Sequence, residues 1–130
     1  MLFRSLVTEF IEEEGTNEAM QEFINPLAEL GDKVTKLTTE LGMKAFANAD
    51  EVGAAAVDYL RVCGHLVFAY FFARMAKIAI EKKDSGDPFY AAKLHTARFY
   101  FAKLLPETAS LIRTARSGLA PLMAMEEALF

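Results

Sequence analysis

The segment FYAAKLHTARFYFAKLLPETA, residues 89–109, carries the residue types that could bind a flat, charged ligand. Five aromatic side chains are mixed with Lys93, His95, Arg98 and Lys103. Such a mixture can stack a ring while it neutralises charge. At helical spacing, however, the basic side chains point in different directions and do not converge, whereas one side forms an apolar stripe. The stripe is Tyr90, Leu94, Ala97, Phe101 and Leu104. We therefore predict a helix packed on two sides and no ligand pocket.

Two aromatic residues of this segment leave the apolar stripe. Phe99 lies about 160° from Phe101 around a helix, and Tyr100 falls at the edge of the stripe. Both need an apolar contact from another helix, a second subunit or a larger protein. We expect Phe99, Tyr100 and the adjacent Arg98 to belong to an interface.

The chain offers no recognisable reaction centre. The residues three positions before His65 and His95 are Val62 and Ala92, so the Glu-x-x-His pairs of di-iron bundles are absent. Cys63 and His65 are two residues apart and point in different directions on a helix. Nucleophile-elbow and phosphate-loop motifs are also missing. We predict no catalytic, cofactor-binding or metal-binding residue.

Composition indicates one globular domain over residues 1–130. The chain is 53% hydrophobic and 25% charged, with a formal net charge of −4. Residues 1–51 hold 11 acidic and 4 basic residues, net −7, and the remainder hold 7 and 10, net +3. Neither half is basic enough for a nucleic-acid groove. A single Cys and the lack of a secretion signal predict a cytoplasmic protein without an internal disulfide.

Two helices are predicted in the first third of the chain. Residues 2–11 should form a short helix. In the next helix, apolar residues recur at alternating steps of three and four, as in a helix packed at a shallow angle. They are Met20, Phe23, Leu27, Leu30, Val34, Leu37 and Leu41. The spacing continues through Pro26, which predicts a kink and not a turn.

The third helix should begin at the Asn48 and Asp50 caps and end near Lys82. Its polar residues change sides, because Asp58, Arg61 and His65 lie nearly opposite Arg74, Lys77 and Glu81. Between them LVFAYFFA, residues 66–73, has no charge, so we predict burial on all sides at the centre of the fold. The uncharged run is too short for a membrane span, which needs about 20 residues.

The polar residues of the third helix suggest ion pairs. Asp58 with Arg61 and Lys77 with Glu81 have the spacing of pairs within one helix. Arg74 directly follows the uncharged run. It could close a buried ion pair with a carboxylate elsewhere, or extend its side chain to solvent.

A fourth helix should start at Asp87-Pro88, an N-cap carboxylate followed by Pro in the first turn. Its stripe continues across Pro106, through Thr108, to Ser117-Gly118 as one bent rod. A short helix should follow from Pro121. The fold prediction is all-α: an up-and-down bundle of three long helices with short helices at both ends.

Two segments resemble a known family. YLRVCGHLVFAYFFARMAKIA (59–79) and FYAAKLHTARFYFAKLLPETASLIRTARSGLAPLM (89–123) are similar to the helical domain appended to the C-terminus of long bacterial acyl-CoA dehydrogenases. These enzymes include relatives of 3-methylmercaptopropionyl-CoA dehydrogenase. The matching pieces are Tyr59-Leu60 with Gly64, Ala73-Arg74-Met75-Ala76, Phe89-Tyr90-x-Ala92-Lys93-Leu94, Ala97-Arg98-Phe99 and Leu105-Pro106-Glu107. The resemblance extends over about residues 52–125.

The resemblance implies a role outside the reaction itself. In such dehydrogenases FAD takes a hydride from an acyl-CoA thioester while a glutamate removes the α-proton, and these parts belong to upstream domains. The chain is then a fragment or stand-alone copy of the extension, a noncatalytic accessory domain in fatty acid metabolism. It would stabilise the enzyme body or its subunit contacts. Two alternatives remain: an independent helical module that self-associates as a homo-oligomer, and a small-molecule-binding bundle.

Overall fold

A computed structural model describes residues 2–130, with the backbone alone at residue 2. The helices are α1 (Leu2–Glu13), α2 (Gln21–Ala47), α3 (Asp50–Glu81), α4 (Pro88–Phe99), α5 (Glu107–Arg116) and α6 (Ala120–Met123). A π-helical turn, Tyr100–Leu104, lies between α4 and α5. No strand occurs within residues 2–130. The all-α prediction is confirmed.

Helix α2 has the predicted seam. Six of the seven predicted residues are buried, and Leu41 packs partly buried against the core. Pro26 lies inside the continuous helix, as its neighbours' spacing predicted. The regular three-and-four spacing therefore decides which side of α2 meets the rest of the molecule.

Helix α3 is central because α2, α4 and α5 all pack against it. At its start the Asn48 side-chain oxygen accepts a hydrogen bond from the Asp50 backbone N–H at 3.0 Å. Past its end, Gly86 adopts a φ of 82°, which a residue without Cβ tolerates. Asp87 then caps α4 by accepting from the Phe89 backbone N–H at 2.9 Å. These predicted boundaries are confirmed.

Neighbouring helices alternate in direction. The connection between α2 and α3 has only two residues, 48–49, so the two helices form an antiparallel hairpin. Arg98 binds Glu22 and Arg116 binds Glu40, so the α4–α5 rod runs in the same direction as α2. Helix α3 therefore lies antiparallel to both.

The fourth predicted rod is interrupted by the π-helical turn. The Leu105 backbone N–H donates to the Tyr100 carbonyl five residues earlier, at 2.9 Å. Pro106 has no N–H, so the usual bond to the carbonyl of residue 102 cannot form. The wider turn moves the stripe by one position. Leu105 is 7% exposed and Leu104 46% exposed, so the prediction of Leu104 as a core residue is wrong.

Burial of residues 66–73 on all sides is also wrong. Ala69, Tyr70 and Ala73 are buried, but Phe68 is 56% exposed and Phe71 53% exposed. The neighbouring helices cover only part of the circumference of α3, and they leave one side of this segment in solvent.

By length and composition α3 could cross a membrane, and it is the one such helix in the described part of the chain. Core helices of water-soluble bundles meet the same criterion. Helix α3 packs on three other helices of its own chain, but only 28% of its apolar window is buried, so length and composition alone are weak evidence for a membrane span.

Candidate interaction surface

One polar side of α3 faces α5. The Glu107 carboxylate accepts hydrogen bonds from Arg61 and from His65 Nε2, the latter at 2.8 Å. His65 Nδ1 lies 2.9 Å from the Tyr100 hydroxyl, which donates to the His65 carbonyl at 3.0 Å. The His65 hydrogen bond and the nearby Arg61 lower the pKa of Glu107. Burial, followed by the charge of Glu107, raises the pKa of Tyr100. The cluster fixes α3 against the α4–α5 rod.

The other polar side of α3 faces the end of α1. Lys77 Nζ lies 2.6 Å from the Glu14 carboxylate, and Glu14 also accepts from the Asn17 side chain at 3.0 Å. Glu14 is buried. The Lys77 hydrogen bond lowers its pKa against the opposing effect of burial, and the same bond raises the pKa of Lys77. Arg61 and Lys77 thus bind carboxylates outside α3 and not the predicted partners within it.

Of the two alternatives for Arg74, the structure shows the solvent-exposed side chain and not the buried ion pair. Within residues 2–130 no carboxylate binds it, and its side chain is exposed. The guanidinium donates to the Tyr70 hydroxyl at 2.8 Å and lies 5.6 Å from the Tyr70 ring centroid and 5.9 Å from that of Phe10. Aromatic rings hold it at the surface by cation–π contact. The buried carboxylate pairs one turn later, with Lys77.

The remaining side of α3 is apolar and faces solvent. At 100° per residue, nine uncharged residues fall within a sector of about 100° that runs along most of the helix. We name them the α3 stripe: Gly53, Val57, Leu60, Gly64, Val67, Phe68, Phe71, Met75 and Ile78. All nine are exposed or partly exposed, and the charged residues of α3 between positions 58 and 81 lie outside the sector.

The polarity of α3 is therefore the reverse of that of an ordinary surface helix. Arg61, His65 and Lys77 bind carboxylates outside α3, and a continuous apolar side turns toward water. Exposed apolar surfaces of this extent mark contact sites in soluble proteins. The spacing from Val57 to Ile78 could have shown the stripe from the sequence, but absence of charge alone does not distinguish burial inside the chain from contact with another protein.

A second apolar feature is a groove between α2 and α3. Its volume is about 440 Å³, and it is lined by uncharged residues that include Leu41, Val52 and Cys63. At one side the Thr38 and Tyr59 hydroxyls bond to each other at 2.6 Å. FAD would need cationic or N–H donors for its diphosphate. The lining of the groove offers no charged donor, so it does not fit FAD, and we derive no flavin step from it.

A metal site is not assembled by the residues that the structure describes, since none of their His, Cys, Asp and Glu side chains form a cluster of three. The absence of catalytic, cofactor-binding and metal-binding residues stays a prediction.

The three predicted interface residues, Arg98, Phe99 and Tyr100, have different surroundings in the structure. Phe99 is 57% exposed, and Arg98 binds Glu22 on α2 with Nη2 2.7 Å from Oε1. Tyr100 is buried and stacks on Phe72 with ring centroids 4.6 Å apart. Its prediction as an interface residue is wrong, because α3 supplies the second apolar contact inside the same chain. Phe99 and Arg98 stay predictions.

The fold is a helical bundle whose central helix exposes an apolar side. The model of a family described as acetyl-CoA dehydrogenase C-terminal like matches residues 3–126. The chain belongs to this family of acyl-CoA dehydrogenase C-terminal domains, which confirms the resemblance. Its narrower likeness to 3-methylmercaptopropionyl-CoA dehydrogenases stays a prediction. No curated protein matches the chain.

Proposed function

We propose that this chain is a noncatalytic accessory domain of a flavin-dependent acyl-CoA dehydrogenase, and that it acts by making protein contacts through the α3 stripe. The observation that carries the proposal is the reversed polarity of α3. A central helix that turns Phe68 and Phe71 to water, more than half exposed, gains free energy when another protein covers it.

The stripe is held rigid before any partner binds. Arg61 and His65 fix one flank of α3 to Glu107, and Lys77 fixes the other flank to Glu14. A preorganised surface loses little conformational entropy on association, so more of the apolar burial contributes to affinity. These pairs give the polar residues of α3 a purely positional role.

The chemistry in this proposal stays in upstream domains. FAD, the acyl-CoA site and the glutamate that removes the α-proton would lie there, and this domain would change the stability or the subunit contacts of that body. A cytoplasmic location and a part in fatty acid metabolism belong to the same proposal.

The proposal is tested by mixing the chain with a dehydrogenase body of this family that lacks its C-terminal domain. A chain that contacts the body, or that joins two bodies through paired stripes, should change the assembly of the body or raise its midpoint of thermal unfolding by on the order of 5 °C. The Phe71→Asp chain should give neither effect, because it places a charge in the apolar contact. If the wild-type chain changes neither the assembly nor the thermal stability of the body, the accessory role is wrong.

A further inference from the structure

We infer that the α3 stripe binds the α3 stripe of a second copy of this chain, with the two helices antiparallel and the two-fold axis between Val67 and Phe68. The inference rests on the proposed function for the stripe as a contact surface, and it names the partner. The order of residues along the stripe indicates that this partner is a second copy of the chain.

From position 57 to position 78, the spacing between successive stripe residues is the same in both directions along the helix. Turning one α3 about the midpoint of Val67 and Phe68 places position 57 opposite 78, 60 opposite 75, and 64 opposite 71. Every stripe residue from 57 to 78 then meets a stripe residue. In a two-fold interface each contact occurs twice, so a surface must be complementary to its own reverse. A different partner would not require this property.

Gly64 and Phe71 supply the complementary shapes. A Cβ placed on Gly64 would have no atom within 4 Å, so the surface above this residue is open. In the antiparallel pair it faces the exposed ring of Phe71 from the other copy. A large side chain over a glycine lets the two helices approach closely, and the contact forms once on each side of the axis.

Charge does not oppose the pairing. No ionisable residue lies within the stripe between positions 53 and 78. Arg61 and Arg74 of the two copies come to the same level, but they lie on opposite flanks of the stripe. Each is also engaged within its own chain, Arg61 by Glu107 and Arg74 by the Tyr70 and Phe10 rings.

The area of the stripe is in the range that a dimer needs. With roughly 100 Å² uncovered on each of its five large exposed side chains, it offers on the order of 500 Å² per copy. The partly exposed Val67 and Met75 add to this. The total approaches the ~800 Å² that each partner buries in a standard interface. A second copy alone can therefore cover the stripe.

The first test is the association state of the 130-residue chain by sedimentation velocity over a range of concentrations. We expect a dimer. Gly64→Leu should weaken dimerisation at least ~10-fold, because its side chain occupies the space for Phe71. It should leave the circular dichroism and the thermal midpoint of the monomer unchanged or raised, since leucine favours a helix more than glycine does. Phe99→Asp, which changes an equally exposed phenylalanine off the stripe, should leave the dimer intact.

The second test is the register, by oxidative cross-linking in a Cys63→Ser background. Val67→Cys should form a disulfide-linked dimer with itself, because the two copies meet at the axis. Val57→Cys and Ile78→Cys should cross-link when mixed and not when alone. Self-linking of Ile78→Cys would indicate a parallel pair and overturn the inference.

Two outcomes separate this inference from the proposed function. A chain that stays monomeric at every concentration but raises the thermal midpoint of the dehydrogenase body overturns the self-pairing alone. A dimer that Phe99→Asp dissociates and Gly64→Leu does not would move the interface to α4, which also overturns it.

Discussion

Glu14 shows how single residues of this bundle are held by partners far along the chain. It follows the last turn of α1, where the helix dipole disfavours a negative charge, and its carboxylate is buried. Lys77 and Asn17 offset both costs by hydrogen bonds at 2.6 and 3.0 Å. The neighbouring Glu13 is exposed, so adjacent residues of one type have different roles.

The Glu14 contact predicts a pH-dependent contribution to stability. Its pKa is lowered from 4.5 in the folded chain, so the carboxylate stabilises the fold above that value, and the contribution is lost as pH falls through the lowered pKa. Glu14→Gln keeps the shape and removes the charge. It should lower the midpoint of thermal unfolding near neutral pH by on the order of 5 °C, with a difference that shrinks in acid.

Thermal scans of Glu14→Gln, Glu13→Gln and wild type at several pH values check this prediction. Glu13→Gln is the matched control and should stay close to wild type. An equal effect of the two substitutions, or a difference that grows in acid, would contradict the assigned role of Glu14.

At the scale of elements, the π-helical turn decides which leucine of the rod enters the core. Pro106 removes one backbone donor, and the bond from Leu105 to the Tyr100 carbonyl inserts one additional residue into the turn. Leu105 is buried as a result, and Leu104 is half exposed.

The turn predicts unequal costs for neighbouring substitutions. Leu105→Ala should lower the free energy of unfolding by about 2–4 kcal/mol, because it leaves a cavity in the core. Leu104→Ala should cost less than about 1 kcal/mol. Urea unfolding of the two variants measures the difference, and the reverse order would show that the rod is an uninterrupted α-helix.

Sequence patterns predicted the helices and their ends better than the contacts that the helices make with one another. The α2 seam and the Asp87 cap depend on residues close together in the chain, so spacing and local chemistry identified them. The contacts of Lys77 with Glu14 and of Arg61 with Glu107 join residues more than forty positions apart, and no local pattern specifies them. The one-residue change at Leu105 depends on a five-residue hydrogen bond that helical periodicity does not include.

At the scale of the whole molecule, polar and apolar residues are distributed unevenly around α3. Helices α2, α4 and α5 pack against α3, and Arg61, His65 and Lys77 of α3 bind carboxylates outside it. The side of α3 that is left in solvent is apolar over about 38 Å. A monomer would leave this surface in water, whereas a domain that works by contact with another protein requires it.

The lack of charge in segment 66–73 predicts burial on every side of the helix. The prediction is correct for Ala69 and Ala73, which are buried, and wrong for Phe68 and Phe71, which are exposed. Hydrophobic residues on every side of a helix do not distinguish burial within the chain from exposure of an apolar side, because helical periodicity alone does not specify how many neighbours pack on the helix.

Thiol accessibility on the stripe tests the central claim most directly. In a Cys63→Ser background, Val57→Cys places a thiol at a stripe position that is 73% exposed in one chain, and Met43→Cys places one at a position off the stripe that is 70% exposed. We predict that the thiol at position 57 reacts slowly at high protein concentration and fast on dilution, whereas the thiol at position 43 reacts fast at both. Equal, fast labelling at both positions under all concentrations, and also with the dehydrogenase body present, would contradict a contact surface on α3.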